Sequence, residues 1–346
     1  MLRASLRLVW RSIKRMPSIV LIGATLILFA GAAALLSLRY WVLPDIGRYH
    51  ADITAMASRA IGQPVIIGKV EADWRGIRPH LLFTDVRILD GSGQTALVLP
   101  RIDNVISWMT LISGEVRLHS VEFDQPNIQI KRDAQGILHI AGMTLPSQIP
   151  GQITGRAGDA DWLLHPAYIV VRDAHITWQD DLKAAQPMAL SNVNLVIENR
   201  RFLPGLSFAK NWGFAKDSSV ARESGNHHSF ALRAVPPQEL SGELDIRGDF
   251  YGDTFNDMHA WRGQLYTRLD YVDVAAWRPW LSLPEAVSGG RGAMRVWVGV
   301  ADGKLDNLTV DMALTDVQAQ LAADLPPLDV VSLRGRLRGA TQQGLK

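Results

Sequence analysis

Ile19 to Leu38 reads IVLIGATLILFAGAAALLSL, an apolar run with no charge. As a helix rising about 1.5 Å per residue it reaches about 30 Å, the hydrocarbon thickness of a bilayer. The pattern predicts a membrane anchor over residues 17–41. Tyr40 and Trp41 close it with rings suited to the interface. Arg3, Arg7, Arg11, Lys14 and Arg15 precede it with no acid among them. Residues 1–16 are therefore expected on the cytoplasmic side. A signal peptide has a shorter apolar core, about 7–15 residues, so an uncleaved anchor is expected.

Beyond the anchor, Ile46, Tyr49, Ile53, Met56, Ala57 and Ala60 recur at helical spacing. They predict a helix over 45–61, capped by Asp45 and stopped at Gly62. From Val65 the period becomes two. Leu82, Val86 and Ile88 alternate with Asp85 and Arg87, and Ile128 and Ile130 alternate with polar neighbours. Ala174, Ile176 and Trp178 oppose His175, Thr177 and Gln179. The rhythm returns at Val193, Leu195 and Ile197, at Leu244 and Ile246, at Leu265, Leu269 and Tyr271, at Met294 to Val300, and at Leu308 to Leu314. Asp90-Gly91-Ser92-Gly93 and Asp133-Ala134-Gln135-Gly136 read as turns between such strands.

Half-polar strands joined by short turns imply antiparallel sheet with one dry face and one wet face. On pattern alone a closed sandwich is the commoner way to bury the dry face. An open sheet would leave it as an aliphatic groove, which calls for an apolar guest. Two stretches break the rhythm: 146–165, rich in Gly, Pro, Gln and Thr, reads as a connector, and 202–228 as a long insertion. The expected layout is thus 42–145 for the helix and first strands, and 166–346 for a continued sheet.

Composition narrows the chemistry. The 346 residues carry a net charge of +2, which the basic N-terminus accounts for, so the body is near neutral and does not suggest nucleic-acid binding. There is no cysteine, which excludes disulfides, thiolate metal sites and a cysteine nucleophile. Gly205-Leu206-Ser207-Phe208-Ala209 approaches a nucleophile elbow but lacks its final glycine. His227 and His228 are adjacent, with no further ligand at metal-binding spacing. No catalytic residue, metal or cofactor is expected.

Five pieces in order carry a resemblance. They are the basic N-terminus with its anchor, the helix ending at Ile61-Gly62-Gln63-Pro64-Val65, and Val70-Glu71-Ala72-Asp73-Trp74-Arg75-Gly76-Ile77-Arg78-Pro79 running into Leu81 to Ile88. Ile112-Ser113-Gly114-Glu115-Val116 then leads to Val121 to Ile128, and Ile130 to Ile137 follows. In these the chain resembles the AsmA-like superfamily of bacterial envelope proteins, most closely its YhdP-type members. The resemblance implies an elongated, twisted antiparallel β-sheet forming a hydrophobic groove, similar to the bridge-like lipid transfer proteins. It further implies an inner-membrane protein with its body in the periplasm, carrying phospholipid towards the outer membrane. YhdP-type members are much longer, and the chain stops at Lys346 in what reads as mid-sheet, so it is expected to be part of a longer protein.

The groove expected from these readings is lined by Leu82, Val86, Ile88, Ile128, Ile130, Ile176, Leu195, Ile197, Leu244 and Ile246. Its partners would be the inner-membrane bilayer, phospholipid acyl chains and other envelope or outer-membrane proteins. Ile19, Leu38, Tyr40 and Trp41 mark the anchor. A charge at Val86 or Ile128 is expected to block transport without unfolding the chain. The alternative is a membrane-tethered scaffold for outer-membrane assembly, which needs only a closed core.

Overall fold

A computed structural model describes residues 22–76, 78–90, 93–110, 117–140, 143–144, 163–200, 226–280, 287–320, 326 and 328–340. The proposed connector up to residue 162, the insertion up to residue 225, Ser207 and Ile19 lie outside them.

Helix α1 (Ile22–Val42) is apolar and long enough to cross a membrane, and it is not buried against the rest of the chain. A tight turn over Ile46–Tyr49 leads into α2 (His50–Ile61). Asp45 makes no cap and instead pairs with Arg48 at 3.3 Å. The tight turn changes the angular step per residue. The dry stripe accordingly narrows to Ile46, Ile53 and Ala57, while Tyr49 and Met56 are exposed. Gly62 ends α2 in the left-handed conformation, with its N–H on the Ser58 carbonyl at 2.9 Å.

Fifteen strands follow: β1 (Val65–Arg75), β2 (Arg78–Leu89), β3 (Thr95–Ile106), β4 (Leu118–Asp124), β5 (Asn127–Arg132), β6 (Leu138–Ile140), β7 (Met143–Thr144), β8 (Tyr168–Asp180), β9 (Ala185–Arg200), β10 (His227–Val235), β11 (Leu244–Tyr251), β12 (Arg262–Asp273), β13 (Val287–Ala301), β14 (Lys304–Ala319) and β15 (Leu328–Ala340). All belong to one sheet, and among the described residues β1 and β15 each pair on one side only. Among the described residues no second sheet covers it, so the sandwich does not form. The sheet is also not wholly antiparallel: β8 runs parallel to β4 and β5. The long connection before β8 permits that reversal, since parallel neighbours need a crossover of about a dozen residues or more. The turn at Asp133 forms as expected, with Asp133 accepting from the N–H groups of Gln135 and Ile137 at 3.0 and 2.8 Å.

Strict alternation does not run the length of the strands. On the dry face Val70 follows Ile67, Val86 follows Phe83, Ile102 follows Leu99, Ala174 follows Val171, Val193 follows Leu190, Val272 follows Leu269 and Val317 follows Leu314. Each step is three residues where two is regular. Asp85, Asp173, Asn192 and Asp316 sit within these steps with φ of 52, 50, 49 and 52°. Short acidic and amide side chains tolerate that conformation, and such irregularities bend a strand. Their alignment across neighbouring strands makes a crease through the sheet.

The crease separates a sealed tier from an open one. At the first strands α2 lays Ile53 and Ala57 on Val65, Ile67, Val86 and Ile88, all buried. Further along, Trp277 packs on the cluster of Ala174, Val193, Ala234 and Leu244 and on that of Val272, Val274, Leu314 and Val317. Its indole N–H donates to the Leu240 carbonyl at 3.1 Å, and that of Trp280 to Gln186 at 3.0 Å. The opposite face is wet. Asn194, Arg233, Asp245, Arg268, Arg295, Asp311 and Arg336 form one cross-strand row there. Hydrogen bonds from Arg247 hold the Asp245 carboxyl below the ordinary carboxylate range. Exposed pairs of this kind add about 0–1 kcal/mol each, but they keep that face hydrated.

Gly292 lies at the crease in β13 with φ +152°, and a Cβ there would stand 2.1 Å from the Ala313 carbonyl oxygen. Backbone cannot step aside as a side chain can. Gly292→Ala is expected to cost about 1–3 kcal/mol or more, read as a lower urea midpoint with an unchanged far-UV spectrum.

Candidate functional site

Two apolar rows cross the sheet, buried at the first strands, where Val70, Ile102, Val121 and Ile169 belong to the core, and more exposed beyond them. The first runs Val70, Phe83, Ile102, Phe123, Val171, Leu195, Leu232, Ile246, Thr267, Val296, Val310 and Leu337, each paired to the next. The second runs Ala72, Leu81, Asn104, Val121, Ile169, Ile197, Phe230, Gly248, Leu265, Val298, Leu308 and Gly339 by the same pairings. At about 4.8 Å between strands, each row spans about 50 Å along the sheet. Thr267 alone in the first row and Asn104 alone in the second are polar.

From Leu195 to Val310 the first row is half-buried throughout. These side chains are cross-strand neighbours along the row, and among the described residues no layer of protein closes over them. Aliphatic positions left in this condition on a large scale are uncommon in soluble proteins. What the arrangement can do chemically is bind hydrocarbon, at about 0.8 kcal/mol per methylene removed from water.

The structure distributes the expected groove residues unevenly. Leu195, Ile197 and Ile246 lie in the open rows. Ile128, Ile130 and Ile176 share the apolar face below the crease, with Ile128 beside Ile176. Leu244 is 8% exposed, within the sealed tier. Val86 and Ile88 are 4% exposed beneath α2 and belong to the folded core. Leu82 pairs with Glu71 and Asp103 and so stands on the other face from Val86. The three-residue step around Asp85 inverts the side on which residues before it fall. Val296 and Val310 lie in the alternating runs read from the sequence but were not among its groove residues, and Phe123, Val171 and Leu232 were not singled out from it. The signal that would have found them is the spacing of three within a period of two.

The polar residues near these rows act as braces. His80 and Asp103 are buried on the outer face at 2.5 Å, and Arg101 donates to Asp103 at 2.9 Å. Burial raises the Asp103 carboxyl, but the hydrogen bonds from Arg101 and His80 leave it below its ordinary value. His228 bonds Asn199 Oδ1 at 2.7 Å and the Gly252 carbonyl at 3.0 Å while stacking on Trp261. His227 faces Asp249 at 3.1 Å. Among the described residues no group of His, Asp or Glu could hold a metal ion.

One open sheet with an apolar face, behind a helix fit to cross a bilayer, defines a membrane-associated β-sheet protein. A family model described as YhdP protein matches residues 5–344, and the chain belongs to that family. It is an envelope protein, as the AsmA-like resemblance implies. Comparison with curated proteins and with solved structures returned no match.

Proposed function

We propose that the chain is a non-enzymatic conduit for phospholipid. It is anchored in the inner membrane with its N-terminus in the cytoplasm and its sheet in the periplasm, and it passes lipid towards the outer membrane. Acyl chains lie along the rows through Leu195, Ile246 and Val296, and headgroups stay in water. The observation that carries this reading is the unbroken half-exposed row from Leu195 to Val310. Uniform aliphatic lining lets a chain slide, because each methylene that leaves one contact enters another of similar free energy.

A photo-reactive residue placed at Leu195, Ile246 or Val296 in cells is expected to capture phospholipid. The same residue at Ala231 or Arg247, on the outer face, is expected to capture none. Equal capture on both faces, or none on either, would overturn the conduit.

A further inference from the structure

The wet face of the sheet gathers cations at its β13–β15 end. Arg295 lies there on β13, and Arg334, Arg336 and Arg338 occupy alternate positions of β15, all four exposed. Alternate residues of a strand stand about 7 Å apart on one face. Asp311 sits between Arg295 and Arg336 and accepts two hydrogen bonds from Arg336, one of 2.6 Å. Those bonds, helped by the charges of Arg295 and Arg338, hold its carboxyl below the ordinary range, so it is ionised and already engaged. Arg295, Arg334 and Arg338 make no hydrogen bond or ion pair with another described residue. Nearer the middle of the same face the cations are matched: Arg247 holds Asp245, and Arg268 holds Asp270. A body that is near neutral overall thus keeps a local positive excess at this end.

The neighbouring row on this face brings two large rings beside the cations. Tyr266 and Trp297 pair across β12 and β13 with centroids 5.3 Å apart and planes tilted by 44°. Both are half-buried, and Thr309 and Arg338 continue their row. Cross-strand packing accounts for the contact between the rings. It does not account for three guanidinium groups with nothing to face. These leave the sheet perpendicular to it, so a strand paired along β15 would still leave them in water. Guanidinium groups bind carboxylates through charge-assisted, often bidentate hydrogen bonds. The rings narrow the class of anion. A sugar ring lays its C–H bonds on an aromatic face, while its polar substituents reach donors at the side. We propose that this end of the wet face binds a carboxylate-bearing glycan, with sugar rings over Tyr266 and Trp297 and carboxylates on Arg295, Arg334 and Arg338. The site lies on the opposite face from the lipid track. It rests on the sheet being outside the cytoplasm and not on the conduit.

The probe is purified peptidoglycan, an insoluble glycan whose peptide stems carry carboxylates. The full chain in phosphatidylcholine nanodiscs is expected to co-sediment with it and to be released as salt rises, because exposed charges are screened. Arg334→Ser/Arg338→Ser removes two unengaged, exposed cations and is expected to weaken binding about tenfold. Trp297→Leu keeps an apolar neighbour for Tyr266 and should weaken it severalfold. The thermal midpoint of each variant checks that it is folded. Soluble peptidoglycan fragments should compete well, and polyglutamate, which has carboxylates but no sugar, poorly. No sedimentation beyond that of empty nanodiscs, or sedimentation unchanged in both variants, would overturn the site. Competition by polyglutamate equal to that by the fragments would overturn the glycan and make an acidic peptide the occupant. Phospholipid capture at Ile246 reports the conduit separately. It should be the same in both variants, so failure of the glycan site leaves the conduit standing.

Discussion

Ile246→Glu should stop lipid passage in a chain that remains folded. Ile246 stands mid-row between Leu232 and Thr267 and is half-buried, so an empty track leaves the new carboxylate in water. An acyl chain sliding over it must strip that water. A charge at the centre of a hydrocarbon layer costs about 2.5–3.5 kcal/mol on insertion scales, which slows passage by roughly 100-fold. Ala231→Glu is the control: it lies beside Leu232 in sequence but pairs with Val196 and Arg247 on the wet face, and transport should be unchanged. Val86→Glu should behave differently from both. Its side chain is sealed under Ile53 and Ala57, so a carboxylate there is expected to loosen the membrane end of the sheet rather than merely block a path. Transfer of labelled phospholipid between vesicles, read beside circular dichroism of the same preparations, separates the three outcomes. Unimpaired transfer by Ile246→Glu and Val296→Glu together would sink the track.

Arg132→Ala should cost about 3–5 kcal/mol, the range for removing one partner of a buried ion pair. Asp180 is fully buried, and Arg132 reaches it with two hydrogen bonds, one of 2.9 Å from Nε. The guanidinium also lies over the Trp178 ring. The pair joins β5 to β8 where the strands run parallel. Without Arg132 the carboxylate keeps the N–H of Lys183, at 3.2 Å. Arg132→Ala/Asp180→Ala should be less damaging than Arg132→Ala, because no buried charge is left behind. Arg132 holds the Asp180 carboxyl below the ordinary carboxylate range. A depressed folded-state value stabilises the fold above the unfolded value, about pH 4, and that contribution is lost as the pH falls through the lowered one. Urea unfolding of the detergent-solubilised chain at neutral and acid pH measures both effects. A loss under about 1 kcal/mol for Arg132→Ala would mean the pair does not brace the seam.

Much of this was legible without coordinates. The uncharged run to Leu38 demands a bilayer-length helix, and the two-residue period demands a half-wet sheet, because both are local consequences of backbone geometry. The turn at Asp133 is equally local. The alternation at Leu195, Ile197 and Ile246 assigned those residues to the apolar face, and they lie in its open rows.

Three features were beyond sequence reading. Leu82 shares its strand and spacing with Val86, yet Asp85 in the left-handed conformation turns them to opposite faces. Val86 and Leu195 look alike as aliphatic strand residues, but only one lies under a helix. The parallel course of β8 lies in its pairing with β4 and β5, strands about 50 residues earlier in the chain, which no local pattern reports. Periodicity reports which side chains avoid water. Whether another part of the protein or a guest molecule covers them is settled by contacts between residues far apart along the chain, and those exist only once the sheet has bent and α2 has docked.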